Sequence, residues 1–164
     1  HNGNPRNAIF VMNLLREMGR LDRLVIGTDS PAGSGVQPLG VLRTISLLCS
    51  VGELDPGLAI AAASGNVARW RGLEAGVIAE GRAADLVFLD RAQHTAGRTL
   101  LESVELGDLP GVGMVIIDGE IRLHRSRNTP DQSLPHTSSS ECKFPHAKNI
   151  AEMCCNLWCN LVCI

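Results

Sequence analysis

Ile9, Met12 and Leu15 recur at helical spacing in "NPRNAIFVMNLLREMG", with Ala8 and Val11 beside them, and the pattern predicts a helix over 4–19 with one buried side. Asn4 is placed to cap it, Pro5 suits its first turn, and Gly19 suits a left-handed exit. The next apolar run, "LVIGTD" at 24–29, is too short for a helix and nearly continuous, which is the pattern of a parallel strand buried on both faces. After a Gly-rich loop, Pro38 opens a second predicted helix, "PLGVLRTISLLCSV", closed by Gly52. A third starts at "DPGLAIAAAS", with Asp55 as cap and Pro56 in the first turn; Gly65 breaks it, and Asn66 begins a short helix to Trp70. Helix, buried strand, loop and helix in this order indicate an α/β arrangement with parallel strands.

From Gly76 the period changes to two, first in "GVIAEG" and then in "ADLVFLD". In "GMVIIDGEIRLH", Asp118-Gly119 separates two apolar-rich runs and predicts a tight hairpin. The second part of the chain therefore reads as antiparallel β. A third regime begins after "SRNTP": a Ser-rich linker leads into an apolar end that holds Cys142, Cys154, Cys155, Cys159 and Cys163, along with both lysines, Lys143 and Lys148. The expected division is 1–75, 76–128 and a tail, 129–164, that is unrelated to the rest and disordered. Cys155, Cys159 and Cys163 would share a helical face, which admits a metal site or palmitoylation. The spacing lacks paired CxxC, and free Cys also behaves as a small hydrophobe.

At 164 residues the chain can bury one ordinary core. Starting at His1 without an initiator Met, it is expected to be processed or a fragment. A net charge of −2 gives no reason to expect a nucleic-acid partner. No apolar run approaches the roughly 18–20 residues that cross a bilayer, so no membrane partner and a cytoplasmic location are expected.

Chemistry concentrates in "VIGTDSPAGSG", residues 25–35. A carboxylate at the outlet of a parallel strand lies on the catalytic face of barrel proteins. Asp29 can serve a cation or shuttle a proton there, and it can equally form a turn or cap the next element. "GSG" ahead of a helix could offer N–H groups to phosphate, although GxxxxGK[ST], GxGxxG and any lysine in this half are absent. His1, His94 and His124 are not assigned to a site. Arg43 reads as a solvated or packing residue, Asn66 and Arg69 as braces of a helix join, and Asp85 and Asp90 as turn or edge residues.

The segment "VIGTDSPAGSGVQPLGVLR" resembles the last barrel strand of the amidohydrolase superfamily, where a GTD-type acid meets a metal centre. "GVIAEGRAADLVFLD" resembles the return of that family's chain into its small β-sandwich, and "VIIDGEIRLHRSRNTP" resembles the closing sandwich hairpin. The resemblance runs through about residues 2–130. It implies an α/β fold: the C-terminal fragment of a TIM barrel, comprising its last strand and flanking helices, followed by part of the sandwich. It also implies metal-dependent hydrolysis of a C–N bond in a small cyclic amide or lactam, with zinc and/or iron in an intact enzyme that is homo-oligomeric. Asp29 would be the catalytic residue and a metal ligand. It would hold the metal-bound water, take its proton and pass it to the leaving nitrogen, while Ser30, Gly33, Ser34 and Gly35 line the substrate pocket.

The chain departs from the family pattern. It has no HxH pair, and no lysine lies outside the tail. Zinc sites generally take three protein ligands plus water, so the chain alone is expected to hold no stable metal and to be inactive. Two other readings stand beside this one: a non-catalytic remnant or partner-completing chain, and a phosphate-binding α/β module using the Gly33–Gly35 loop.

Overall fold

Capping side chains set the helix starts in the computed structural model, which describes residues 4–30, 35–130 and 160–163. The Asn4 side chain accepts the Arg6 N–H at 3.0 Å and Pro5 opens α1, Pro5–Glu17. Gly19, at φ +64°, ends the turn that follows. A short 3₁₀ turn, Leu21–Arg23, leads into an extended segment at 24–28. Then come α2 (Gly40–Ser50), α3 (Pro56–Ala63) and α4 (Gly65–Arg71). Asp55 caps α3 through the Leu58 N–H at 2.9 Å. The Ser64 hydroxyl donates to the Ile60 carbonyl at 2.8 Å where α3 bends into α4.

The second half holds β1 (Leu86–Asp90), α5 (Leu100–Glu105), β2 (Gly111–Ile117) and β3 (Glu120–Leu123). Residues 160–163, inside the tail expected to be disordered, form β4, Asn160–Cys163. The four strands make an antiparallel sheet in the order β3-β2-β1-β4. The predicted hairpin is present: Asp118 (φ 51°) and Gly119 (φ 77°) are both left-handed, as a two-residue turn matched to strand twist requires. Asp85 accepts the Asp118 N–H at 2.8 Å and so braces the turn from the next strand.

Two sequence readings change. The run 24–28 is extended but buried on one face only, through Leu24 and Ile26 with Val25 and Gly27 exposed, and it pairs with no strand among the described residues; the Ile26 N–H instead reaches the Ala62 carbonyl of α3 at 2.9 Å. An apolar run reports burial, whereas a strand needs a lateral neighbour with which to exchange N–H···O=C bonds. The period-two stretch "GVIAEG" forms no strand either, and Val77 and Ile78 stay largely exposed.

One apolar cluster joins the helices to one face of the sheet. Met12, Ile26, Leu48 and Ala62 belong to it together with Leu89, Leu100, Val104 and Val112. Leu86, Phe88 and Ile116 form a smaller cluster with Met114 and Ile121. Alternation along β1 sends Val87 and Leu89 to the first cluster and Leu86 and Phe88 to the second. The segment "SRNTP" closes this unit. Asn128 donates to the Leu109 and Pro110 carbonyls at 3.1 Å each, and the buried Thr129 hydroxyl donates to the Val112 carbonyl at 2.9 Å.

Cys49 on α2 is buried against Leu54 and Asp55, with Glu105 nearby. Burial, then the charges of Asp55 and Glu105, raise its pKa from 9.0 to about 12. A thiol that ionises later in the folded chain than in the unfolded one gives stability that is intact below pH 9 and lost as pH rises from 9 to about 12. The melting temperature is therefore expected to fall across that window, and Cys49→Ala is expected to flatten the fall. Thermal melts of both proteins from pH 8 to 11 provide the check, and parallel slopes would refute it.

Candidate functional site

Leu24 and Ile26 anchor the extended segment by pointing into the main cluster, while Val25 and Gly27 face outward. The Asn66 amide donates to the Leu24 carbonyl at 2.9 Å and accepts from the Arg69 guanidinium at 3.1 Å. Arg69 also donates to the Asp22 carbonyl. These two residues thus hold the start of the segment to α4. At the other end Gly40, the first residue of α2, lies against Thr28; a Cβ there would come within 2.7 Å of the Thr28 Cγ2. The absence of a side chain at Gly40 lets α2 begin directly beside the segment's outlet.

Asp29 stands at that outlet, exposed and at φ 54°. Among non-glycine residues, Asp and Asn enter this region most readily, so the turn suits the residue. The Thr28 hydroxyl accepts the Ser30 N–H at 3.4 Å, a local side-chain-to-backbone link that turns the chain at Asp29. The Ser30 hydroxyl then donates to the Gly35 carbonyl at 3.1 Å and accepts the Gln37 N–H at 3.2 Å. One hydroxyl therefore fastens the two ends of the loop. Gly35, at φ 81°, takes a conformation that favours glycine.

Asp29, Ser30 and Gly35 are thus brought into one exposed turn, and Gly33 and Ser34 lie outside the described residues. Thr28 and Gln37 belong to the same arrangement and were not singled out from the sequence. The signal for Thr28 was the Thr-x-Ser spacing, which allows a hydroxyl to accept from the amide two residues on. For the phosphate reading, one donor is already used: the Gly40 N–H bonds the Gln37 carbonyl at 3.1 Å. His94 and His124 are exposed, one in a loop after β1 and the other after β3.

Among the described residues, no three His, Cys, Asp or Glu side chains come together as a metal-holding group. The residues present around Asp29 therefore do not fit a complete metal centre. A carboxylate at this outlet can hold and move a proton, and it can supply one ligand to a centre whose other ligands come from elsewhere. None of the described helices is long and apolar enough to cross a membrane.

Residues 7–122 match the model of the amidohydrolase family. The chain is 40% identical over 128 residues to an enamidase of Eubacterium barkeri, an alignment covering 78% of this chain and 33% of that protein. The crystal structure of enamidase, described as a new member of the amidohydrolase superfamily, is similar with a TM-score of 0.74 and 38% identity, over 80% of this chain and 34% of that one. The chain spans about a third of the length of these relatives.

Proposed function

Because this chain belongs to the amidohydrolase family, we propose that it is the C-terminal segment of a metal-dependent hydrolase acting on C–N bonds of small cyclic amides or lactams. The observation that carries the reading is the position of Asp29, at the outlet of an extended, core-anchored segment, inside a region 40% identical to an enamidase. Asp29 is the residue of this chain that does chemistry: its carboxylate takes a proton from the attacking water and delivers it to the leaving nitrogen. Ser30 and the glycines after it shape the pocket edge, with the Ser30 hydroxyl holding the loop's two ends together.

A bound divalent metal in this family would polarise the amide carbonyl and acidify water. The remaining ligands of such a centre come from outside this chain, since a lone acid falls short of the three protein ligands that a catalytic zinc generally takes. The purified chain is therefore inactive by itself.

The test compares two samples. The purified chain alone is expected to contain well under one zinc or iron per molecule and to leave a cyclic lactam intact. Combined with a polypeptide supplying the rest of an amidohydrolase barrel, it is expected to gain both metal and hydrolysis. Stoichiometric metal in the isolated chain would overturn the claim of an incomplete site, and a metal-loaded complex without hydrolysis would overturn the activity.

A further inference from the structure

A cavity of about 600 Å³ opens between the 3₁₀ turn, Leu21–Arg23, and α4. Arg20, Asp22 and Arg23 line it on one side, Arg69 and Trp70 of α4 on the other, with Val25 of the extended segment between the charged groups. Three guanidinium groups thus share the cavity with one carboxylate. Asp22 is already engaged, accepting from the Arg20 Nε at 3.2 Å. Arg69 places a single nitrogen, Nη2, on the Asp22 carbonyl and on the Asn66 side-chain oxygen, and its Nε and Nη1 have no partner among the described residues. Two bonds therefore hold this guanidinium in place and leave donors to spare. Arg23 is exposed, with no side-chain hydrogen bond or ion pair among the described residues. Like charges held this close repel one another until an anion joins them.

Guanidinium groups pair with carboxylate and phosphate alike. Charge decides between the two here: a phosphate monoester carries about −1.5 to −2 near neutral pH and offers three oxygens, which suits three arginines set against one acid. The rest of the lining calls for more than a bare ion. Trp70 is 71% exposed, and Arg71, which does not line the cavity, lies over its ring at 4.9 Å from the centroid. An indole steadied by a cation, with Val25 beside the same cavity, is a wall against which a planar ring can pack.

We propose that this cavity binds a small phosphate monoester carrying a planar ring, the chemistry of a nucleoside monophosphate. Arg20, Arg23 and Arg69 take the phosphate, and Trp70 takes the ring. The proposal shares no residue with the Gly33–Gly35 loop, and it stands independently of the hydrolytic reading.

The experiment titrates the purified 164-residue chain with adenosine 5′-monophosphate by calorimetry. Saturable one-to-one binding is expected, weakening as salt is raised. Adenosine, inorganic phosphate and benzoate should each bind about tenfold or more weakly, since each lacks the phosphate, the ring or the second charge. Arg23→Gln should weaken binding about tenfold, Arg91→Gln, outside the cavity, should leave it unchanged, and Asp22→Asn should tighten it severalfold by removing the one negative charge of the lining. A gain of affinity cannot come from a misfolded variant, and far-UV circular dichroism checks the others. In a chain carrying Trp158→Phe, Trp70 is the one remaining indole, and its fluorescence should be quenched on binding. Absence of saturable binding, an Arg23→Gln variant that binds like the parent, or unchanged Trp70 emission would each overturn the proposal. Adenosine or inorganic phosphate binding as tightly as the nucleotide would also overturn it, and equal binding of benzoate would overturn it in favour of a carboxylate ligand.

Discussion

Asp29→Asn, introduced into a chain assembled with the rest of a barrel, is expected to lower kcat by about 10²–10⁴-fold, the range that a positioned proton-transfer group contributes. KM should change far less, because the substitution removes a proton acceptor and keeps the outline of the side chain. Asn also tolerates the left-handed backbone that Asp29 adopts at φ 54° almost as well as Asp does. The side chain is exposed, so the melting temperature of the isolated variant should match the parent. This separates chemistry from folding. A variant retaining more than about a tenth of the parental kcat would take Asp29 out of the reaction, given the size of effect that proton transfer carries. Ser30→Ala serves as a contrast: it removes the clasp between the Gly35 carbonyl and the Gln37 N–H, and its cost should fall mainly on KM.

The largest effect on stability is expected at Met12. Its side chain is 0% exposed, and it fills the space between α1 and the end of α2. At Gly52 a Cβ would come within 2.9 Å of the Met12 Cε, 3.2 Å of its Sδ and 2.6 Å of the Leu48 carbonyl oxygen. The thioether is therefore packed directly against backbone. Met12→Ala should cost about 2–5 kcal/mol, the range for emptying a buried methionine site. A loss of that size lowers the melting temperature by about 4–20 °C in a domain of this length. Gly52→Ala crowds the same space from the other side and should cost about 1–3 kcal/mol. The double variant should be less destabilised than the sum, because the methyl at 52 enters room vacated at 12, although its clash with the Leu48 carbonyl remains. Thermal and urea unfolding of the four proteins gives the cycle. Strict additivity would show that the two positions do not share a space.

The parts of this architecture that were legible in the sequence are those decided within a few residues. Asn4-Pro5 and Asp55-Pro56 fixed two helix starts because cap and first turn are local chemistry, and Asp118-Gly119 fixed a hairpin because both residues accept positive φ. Residues 24–28 were legible as extended, but not as unpaired or as buried on one face only, since pairing and the second face depend on what lies beside a segment in space. α5 was overlooked although its signal was present. Thr99 accepts the Glu102 N–H at 3.2 Å and Glu102 accepts the Arg98 N–H at 2.8 Å, a variant of the reciprocal cap that a Thr-x-x-Glu spacing announces. The role of "SRNTP" as a clasp over β2 was invisible for a different reason. Nothing in its composition points to carbonyls 18 or 19 residues earlier in the chain. At the candidate site, the place of Asp29 at the end of the apolar run was readable from order, whereas the Ser30 link between Gly35 and Gln37 and the closeness of Gly40 to Thr28 needed coordinates.

The order β3-β2-β1-β4 has a consequence for biosynthesis. One flank of β1 is covered by β2 soon after both emerge from the ribosome, but its other flank waits for β4, roughly 70 residues later. At about 5–20 residues per second, that wait lasts on the order of several seconds. During that interval a nascent "LVFLD" offers an open ladder to any neighbouring chain, which makes it the stretch most in need of a chaperone while translation continues.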